Sequence, residues 1–280
     1  MGVGLAADLV VIGAEAGAER ALAGTSDAGR GAGLLAGTLP GAWYDGVPES
    51  GRVSLVPPDA GANAMLTAVQ DAAGREGRFL VVCLLGRLVA DPRLRRLALV
   101  TAGSTRENAY RRGLAWDWVV SAMVHGNHAE SLLLVDAVAD REVYEALERE
   151  GAGAGPGELL DHSRVPLWGC VAPWSPGRRG RRTTPPGAPG SFAEGVVRVL
   201  QEGVAGLPAA VSPAHLHPAV CGHMGAQGRA GARLVVPAPG GRLLLRNPAA
   251  LRGMLSGMSV SGELLAVLGR KGSPTRPPSA

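Results

Sequence analysis

The sequence is poor in cysteine, lysine and aromatic residues, and each shortage closes off a class of protein. Its 280 residues include three cysteines, Cys83, Cys170 and Cys221, with no CxxC pair, which excludes a disulfide framework. Two of them lie inside apolar runs, so buried, inert thiols that behave as small hydrophobes are expected. Lys271 is the only lysine, and arginine carries the net charge of +4. A nucleic-acid-binding face clusters its basic residues; here only Arg178, Arg179, Arg181 and Arg182 cluster, so no nucleic-acid partner is expected. Aromatics make up 4% of the chain, which leaves Leu, Val and Ala to build the core. No apolar run approaches the ~20 residues of a membrane-spanning helix. Asp8 lies near the start and no basic region precedes an apolar stretch, so the expectation is no signal peptide, no membrane and a cytoplasmic location.

What is present is ordinary for a globular domain: 46% apolar and 19% charged residues. A chain of this length can bury roughly three quarters of its unfolded surface in one core. Short Val/Leu-rich runs bounded by Gly or Asp predict buried strands over 9–13, 53–56, 79–85, 97–101, 132–137, 165–171 and 234–236. Their apolarity is continuous rather than alternating, as in parallel sheets covered on both faces. Helical patterns fall between them, over 62–73, 113–124, 141–150 and 192–202. Strand and helix alternating in this way predict βαβ units. The expected fold is α/β, a three-layer sandwich with a mostly parallel sheet. The Gly/Ala-rich stretch 151–157 and the Arg- and Pro-containing stretch 174–190 interrupt the rhythm and read as turn and exposed loop. Residues 270–280 read as a frayed polar tail.

Familiar motifs are missing or out of place. Gly13 and Gly17 follow the first strand without the G-x-G-x-x-G spacing of a dinucleotide site, and no Gly-Lys-Ser/Thr phosphate loop exists. His215, His217, Cys221 and His223 fall within nine residues, but Pro213 and Pro218 frame a short helix that would point them in different directions. Structural zinc sites pair their ligands in separate hairpins, so no metal is expected. His125 and His128 follow a helix, where a C-terminal histidine complements the dipole. No G-x-S-x-G elbow occurs, and Ser256 to Ser259 lack a preceding strand. No cofactor is implied.

Taken in order, these segments resemble the caspase and metacaspase superfamily, in particular caspase-like domains of high-GC bacteria. The resemblance runs from about residue 7 to residue 247. Leu9-Val10-Val11-Ile12-Gly13 is similar to the family's first strand, and Leu34 to Leu39, Trp43 and Gly46-Val47-Pro48 resemble the helix and loop after it. The run from Phe79 to Gly86 lies where the family has a strand ending in Gly-His-Gly. Leu97-Ala98-Leu99 with Thr101 resembles its next strand, and Leu132 to Asp136 the strand before the nucleophile, written Asp-x-Cys-x-Ser-Gly. Ala188 to Phe192, the Gly203-Val204 turn, Leu234 to Pro237 and Arg246-Asn247-Pro248 resemble the small-subunit half. The implied layout is one caspase-like domain: a large-subunit-like half over 1–151, a connector over 152–190, a small-subunit-like half over 191–248, and a C-terminal helix and tail over 249–280.

In active members of that superfamily a histidine takes the proton of a cysteine thiol, and the thiolate attacks the scissile carbonyl. Matched residue by residue, Gly86 stands at the first glycine, Arg87 at the histidine and Leu88 at the second glycine. Asp136 keeps the leading aspartate, Val138 takes the cysteine, and Ala139-Asp140-Arg141 replace the residues after it. A guanidinium keeps its proton at physiological pH and cannot act as a general base; valine has no nucleophilic atom. The resemblance therefore implies a pseudoprotease with no catalytic residues, a binding or regulatory module with a protein partner or peptide segment, in bacterial signalling or defence. The alternatives are an active caspase-like cysteine endopeptidase with a displaced site, or an unrelated α/β enzyme.

Overall fold

The computed structural model describes residues 7–15, 27–44, 51–90, 96–105, 107–151, 165–174, 184–225, 233–235 and 242–252. The arginine run 178–182 of the 174–190 loop, residues 152–157, Gly46-Val47-Pro48 and the 270–280 tail lie outside them. Among these residues an eight-stranded sheet is flanked by helices on both faces, a three-layer α/β sandwich. Its continuous path runs β2 (Arg52–Val56), β1 (Ala7–Gly13), β3 (Gly77–Ala90), β6 (His128–Ala139), β7 (Leu167–Pro173) and β9 (Arg233–Val235). The first five strands are parallel, and β9 joins β7 antiparallel.

Side chains alternate across the sheet, as strand geometry demands. From β3, Leu80, Val82, Leu84 and Leu88 enter the layer beneath α2 (Ala62–Ala73), α4 (Trp116–Val124) and α5 (Arg141–Gly151). Phe79, Val81, Cys83 and Leu85 enter the opposite layer, beneath α1 (Ala28–Thr38), α6 (Phe192–Glu202) and α7 (Pro213–His223). Both faces of the central strands are dry, which explains their unbroken apolar runs. Leu, Val and Ala fill most of both layers, with Trp116, Trp168 and Phe192 as the fully buried aromatics. Each buried Leu or Val contributes roughly 1.5–3 kcal/mol of transfer free energy.

Several boundaries differ from those the sequence suggests. β3 is 14 residues long and continues past Gly86. Its extension pairs antiparallel with β4 (Leu97–Leu99), which pairs in turn with β5 (Leu114–Ala115). The 97–101 segment is thus a short antiparallel strand, and the helix expected over 113–124 starts only at Trp116. A single helical turn, α3 (Ala109–Arg112), lies between them, and β8 (Ala210–Val211) and β10 (Leu245–Arg246) form a separate two-stranded ladder. No helix among the described residues is long and apolar enough to cross a membrane.

Candidate functional site

Arg87 and Val138 are direct register partners at the end of the parallel β3–β6 ladder, which closes one residue later at Leu88 and Ala139. Neighbouring strands lie about 4.8 Å apart, so the two positions share one spot on the sheet. That spot is the C-terminal edge of the parallel strands, where open α/β sheets place their sites. Gly86 makes the approach possible. It has φ +153°, and a Cβ there would sit 3.0 Å from both the Ala14 carbonyl oxygen and Leu99 Cδ1. At this residue β3 leaves β1, whose pairing ends at Leu85, and turns towards β4.

Arg87 does not project freely into a cleft. It is 6% exposed, and its Nε and Nη2 both donate to Asp140 Oδ1, at 2.8 and 2.5 Å. The Trp174 ring covers the guanidinium with its centroid 5.1 Å from Cζ, an arrangement in which a cation is attracted to the ring face. Asp140 is the more open partner, its side chain 38% exposed. Where the family resemblance would put a histidine, a cation is locked between a carboxylate and an indole. Val138, across the ladder, is 1% exposed.

Asp136 faces the layer of Leu132 and Leu134. Its Oδ2 accepts from the backbone N–H of Gly187 and of Ala193, each at 3.0 Å, and the Ser191 hydroxyl and Phe192 N–H also bond to it. These donors cluster at the N-terminus of α6, whose first turn leaves its N–H groups without helical acceptors. Ser191 Oγ accepts from Glu194 N at 3.4 Å, and Glu194 Oε2 accepts from Gly190 N. Asp136 is therefore a cap supplied from the sheet. Burial pushes its carboxyl above the ordinary range, against the opposing pull of those donors. The segment it holds is tight: Gly187 has φ +76°, and a Cβ there would lie 2.4 Å from the Asp27 carbonyl oxygen.

The thiols fall into two environments. Cys83 and Cys170 are buried, and burial pushes both well above the ordinary thiol range. Cys170 is the register partner of Asp136 on β7, so it lies one strand over from the matched position but deep in the layer. Cys221 is partly exposed, with Sγ 3.3 Å from His217 Nε2. The His215 ring instead meets Ser212 Oγ at 2.8 Å, and His223 lies 3.9 Å from Glu202. The histidines of α7 thus point to different partners, and among the described residues no group of three or more His, Cys, Asp or Glu could hold a metal ion.

His128 does not complement a helix dipole, as its place after a helix suggested. It opens β6, 1% exposed at its side chain, and its Nε2 meets Asp8 Oδ2 at 3.1 Å. Asp8 Oδ1 accepts from Arg75 Nε at 2.9 Å. This buried carboxylate ties together the starts of three strands, because Arg75 leads into β3. His125 does end its helix, with Nδ1 2.9 Å from the Ser121 carbonyl. No motif in the sequence marks Asp8, Arg75, Asp140 or Trp174 as partners in these clusters. The fully buried Asn247 accepts from Val204 N–H and donates to the carbonyls of Val204, Leu207 and Pro208. No model of a known protein family matches the chain, and no curated protein matches it.

Proposed function

We propose that this chain is a caspase-like pseudoprotease, a non-catalytic binding or regulatory module in bacterial signalling or defence. The observation that carries this reading is the register pairing of Arg87 with Val138 at the end of the parallel ladder, with Arg87 sealed by Asp140 and Trp174. A nucleophile–base pair needs a thiol or hydroxyl within reach of a base; a valine opposite an ion-paired guanidinium supplies neither. The buried Cys170 is a poor substitute, since burial holds it as a thiol.

The reading of a displaced cysteine site rests on Cys221 and His217, whose contact is 3.3 Å. The hydrogen-bond chain opposes it. Trp168 Nε1–H donates to His217 Nδ1 at 3.2 Å, so the neutral ring carries its proton on Nε2, the nitrogen that faces sulfur. That nitrogen cannot take a proton from the thiol. The partner class that fits is a protein or peptide segment laid over the strand ends beside Trp174.

Titration with uncleaved peptides ending in Arg, Lys or Asp tests the binding half of this reading. A saturable change in tryptophan fluorescence, lost in Trp174→Phe, is the expected result. Silence from every peptide would overturn the peptide-binding reading.

A further inference from the structure

Helices α2 and α4 run side by side in the same direction, because each leads back to the start of a parallel strand, β3 and β6. Asn127 joins their ends. Its N–H donates to the Ala73 carbonyl at 2.9 Å, and its Nδ2 donates to the Gly74 carbonyl at 2.8 Å. Between the last turns of the two helices lies a cavity of about 580 Å³, within the range of small-ligand sites. It sits at the opposite end of the strands from Arg87 and Val138.

Leu66, Ala73 and Ala122 give the cavity an apolar lining, and Trp118 adds an indole that is 55% exposed. A tryptophan left this open offers a face that is both apolar and electron-rich. The polar lining comes from Gln70, Ser121 and His125. His125 Nδ1 lies 2.9 Å from the Ser121 carbonyl oxygen. That oxygen can only accept, so Nδ1 carries the proton and Nε2 of the neutral ring is an acceptor.

The charge around the cavity has one sign. No arginine or lysine lines it, and Arg75, directly after Gly74, is committed to Asp8. Neither α2 nor α4 has a basic residue in its last turn, where one would ordinarily complement the helix dipole. The partial negative charge of two helix ends therefore meets at one cavity without a cation of the chain to balance it. An anion is repelled there. A cation gains from the helix ends, from the indole face and from the acceptor nitrogen.

We propose that the cavity between α2 and α4 binds a small organic cation, a protonated amine carried on an apolar body. Trp118 receives the cation on its ring face while the apolar body lies along Leu66, and His125 Nε2 accepts a hydrogen bond from the ammonium. This goes beyond the pseudoprotease reading and does not depend on it.

The test titrates the full chain, labelled with nitrogen-15, with 2-phenylethylamine, its neutral isostere 2-phenylethanol and the anion 3-phenylpropionate. The readout is the indole N–H resonances of the five tryptophans, with that of Trp118 identified by its loss in Trp118→Phe. A saturable shift of the Trp118 resonance by the amine is expected, with affinity about tenfold above that of the alcohol and no saturable shift from the carboxylate. Trp118→Leu, at an exposed position that tolerates substitution, should weaken binding of the amine by about tenfold in ligand-observed saturation transfer. His125→Gln, which retains an acceptor, should bind the amine more tightly than His125→Leu. Should a variant fail to fold, the three ligands on the native chain make the same comparison of charge. Equal affinity for amine and alcohol, shifts confined to other tryptophans, or no saturable shift with the amine at about 10 mM would overturn the proposal. So would an undiminished affinity in Trp118→Leu.

Discussion

Removing the Asp140 carboxylate should damage the protein more than removing the Arg87 charge, although the two belong to one ion pair. In Asp140→Ala the guanidinium of Arg87, 7% exposed at its side chain, loses the acceptor shared by Nε and Nη2 and keeps the Trp174 face. Removing one partner of a fully buried pair costs roughly 3–5 kcal/mol. Asp140 is 38% exposed, so water can reach the vacated space, and about 2 kcal/mol is the expected loss. Arg87→Met leaves an apolar chain against Trp174 and a carboxylate that turns to solvent, with a loss below about 1 kcal/mol. Each kcal/mol moves Tm by about 2–4 °C in a chain of this size. Asp140→Ala should therefore lower Tm by about 4–8 °C, Arg87→Met by less than half of that, and the double variant should resemble Arg87→Met. Thermal and urea unfolding of the four proteins completes the cycle. Equal losses in the two single variants, or additivity within about 0.5 kcal/mol, would refute the picture of a sealed cation.

Asp136→Ala should cost about 2–4 kcal/mol in urea unfolding, because the N–H groups of Gly187 and Ala193 lose their buried acceptor. Burial raises the Asp136 pKa in the folded state, so its contribution is full below the ordinary carboxylate value near 4 and declines as pH rises through the raised value. Asp136→Asn should flatten that decline in stability measured against pH. Asn247→Ala removes the bonds to Val204, Leu207 and Pro208 and should lose about 3 kcal/mol, with an unchanged urea m-value. Limited trypsin digestion should cut first within 178–182, where the arginines cluster in sequence. The fragments should co-elute on size exclusion, since β9 pairs with β7 and Asp136 holds Gly187 and Ala193 across that junction. Separated fragments would contradict a sheet shared by both halves.

The central strands were legible because burial on both faces leaves an uninterrupted Val/Leu pattern, as in Leu132 to Val135. The mostly parallel direction was legible from the same pattern, but the antiparallel pairings were not. The pairing of β4 with the β3 extension, and of β9 with β7, depends on how distant segments meet, and a short apolar run carries no sign of it. Gly86 read as the end of a strand, while the structure uses it as a bend within one. The candidate site was legible as two positions, Arg87 and Val138, but not as a closed cluster. Asp140 lies 53 residues from Arg87, and nothing local to either marks the pair. His128 misled for the same reason: it follows a helix in sequence, yet its partner Asp8 is 120 residues away. Asp136 offered a usable signal, for its parity with Leu132 and Leu134 places it in the α6 layer rather than at the open strand ends.

The central claim is that the paired positions Arg87 and Val138 cannot hydrolyse a peptide bond. Fluorogenic peptides ending in Arg, Lys or Asp, assayed with thiol reductant present, test it most directly against a Cys83→Ala/Cys170→Ala/Cys221→Ala control. Losing either member of a nucleophile–base unit removes most of the rate, so the native chain and the control should release fluorophore at the same background rate. Cleavage by the native chain that is blocked by a thiol alkylator and lost in Cys170→Ala or Cys221→Ala would contradict the claim and place the active site at that cysteine.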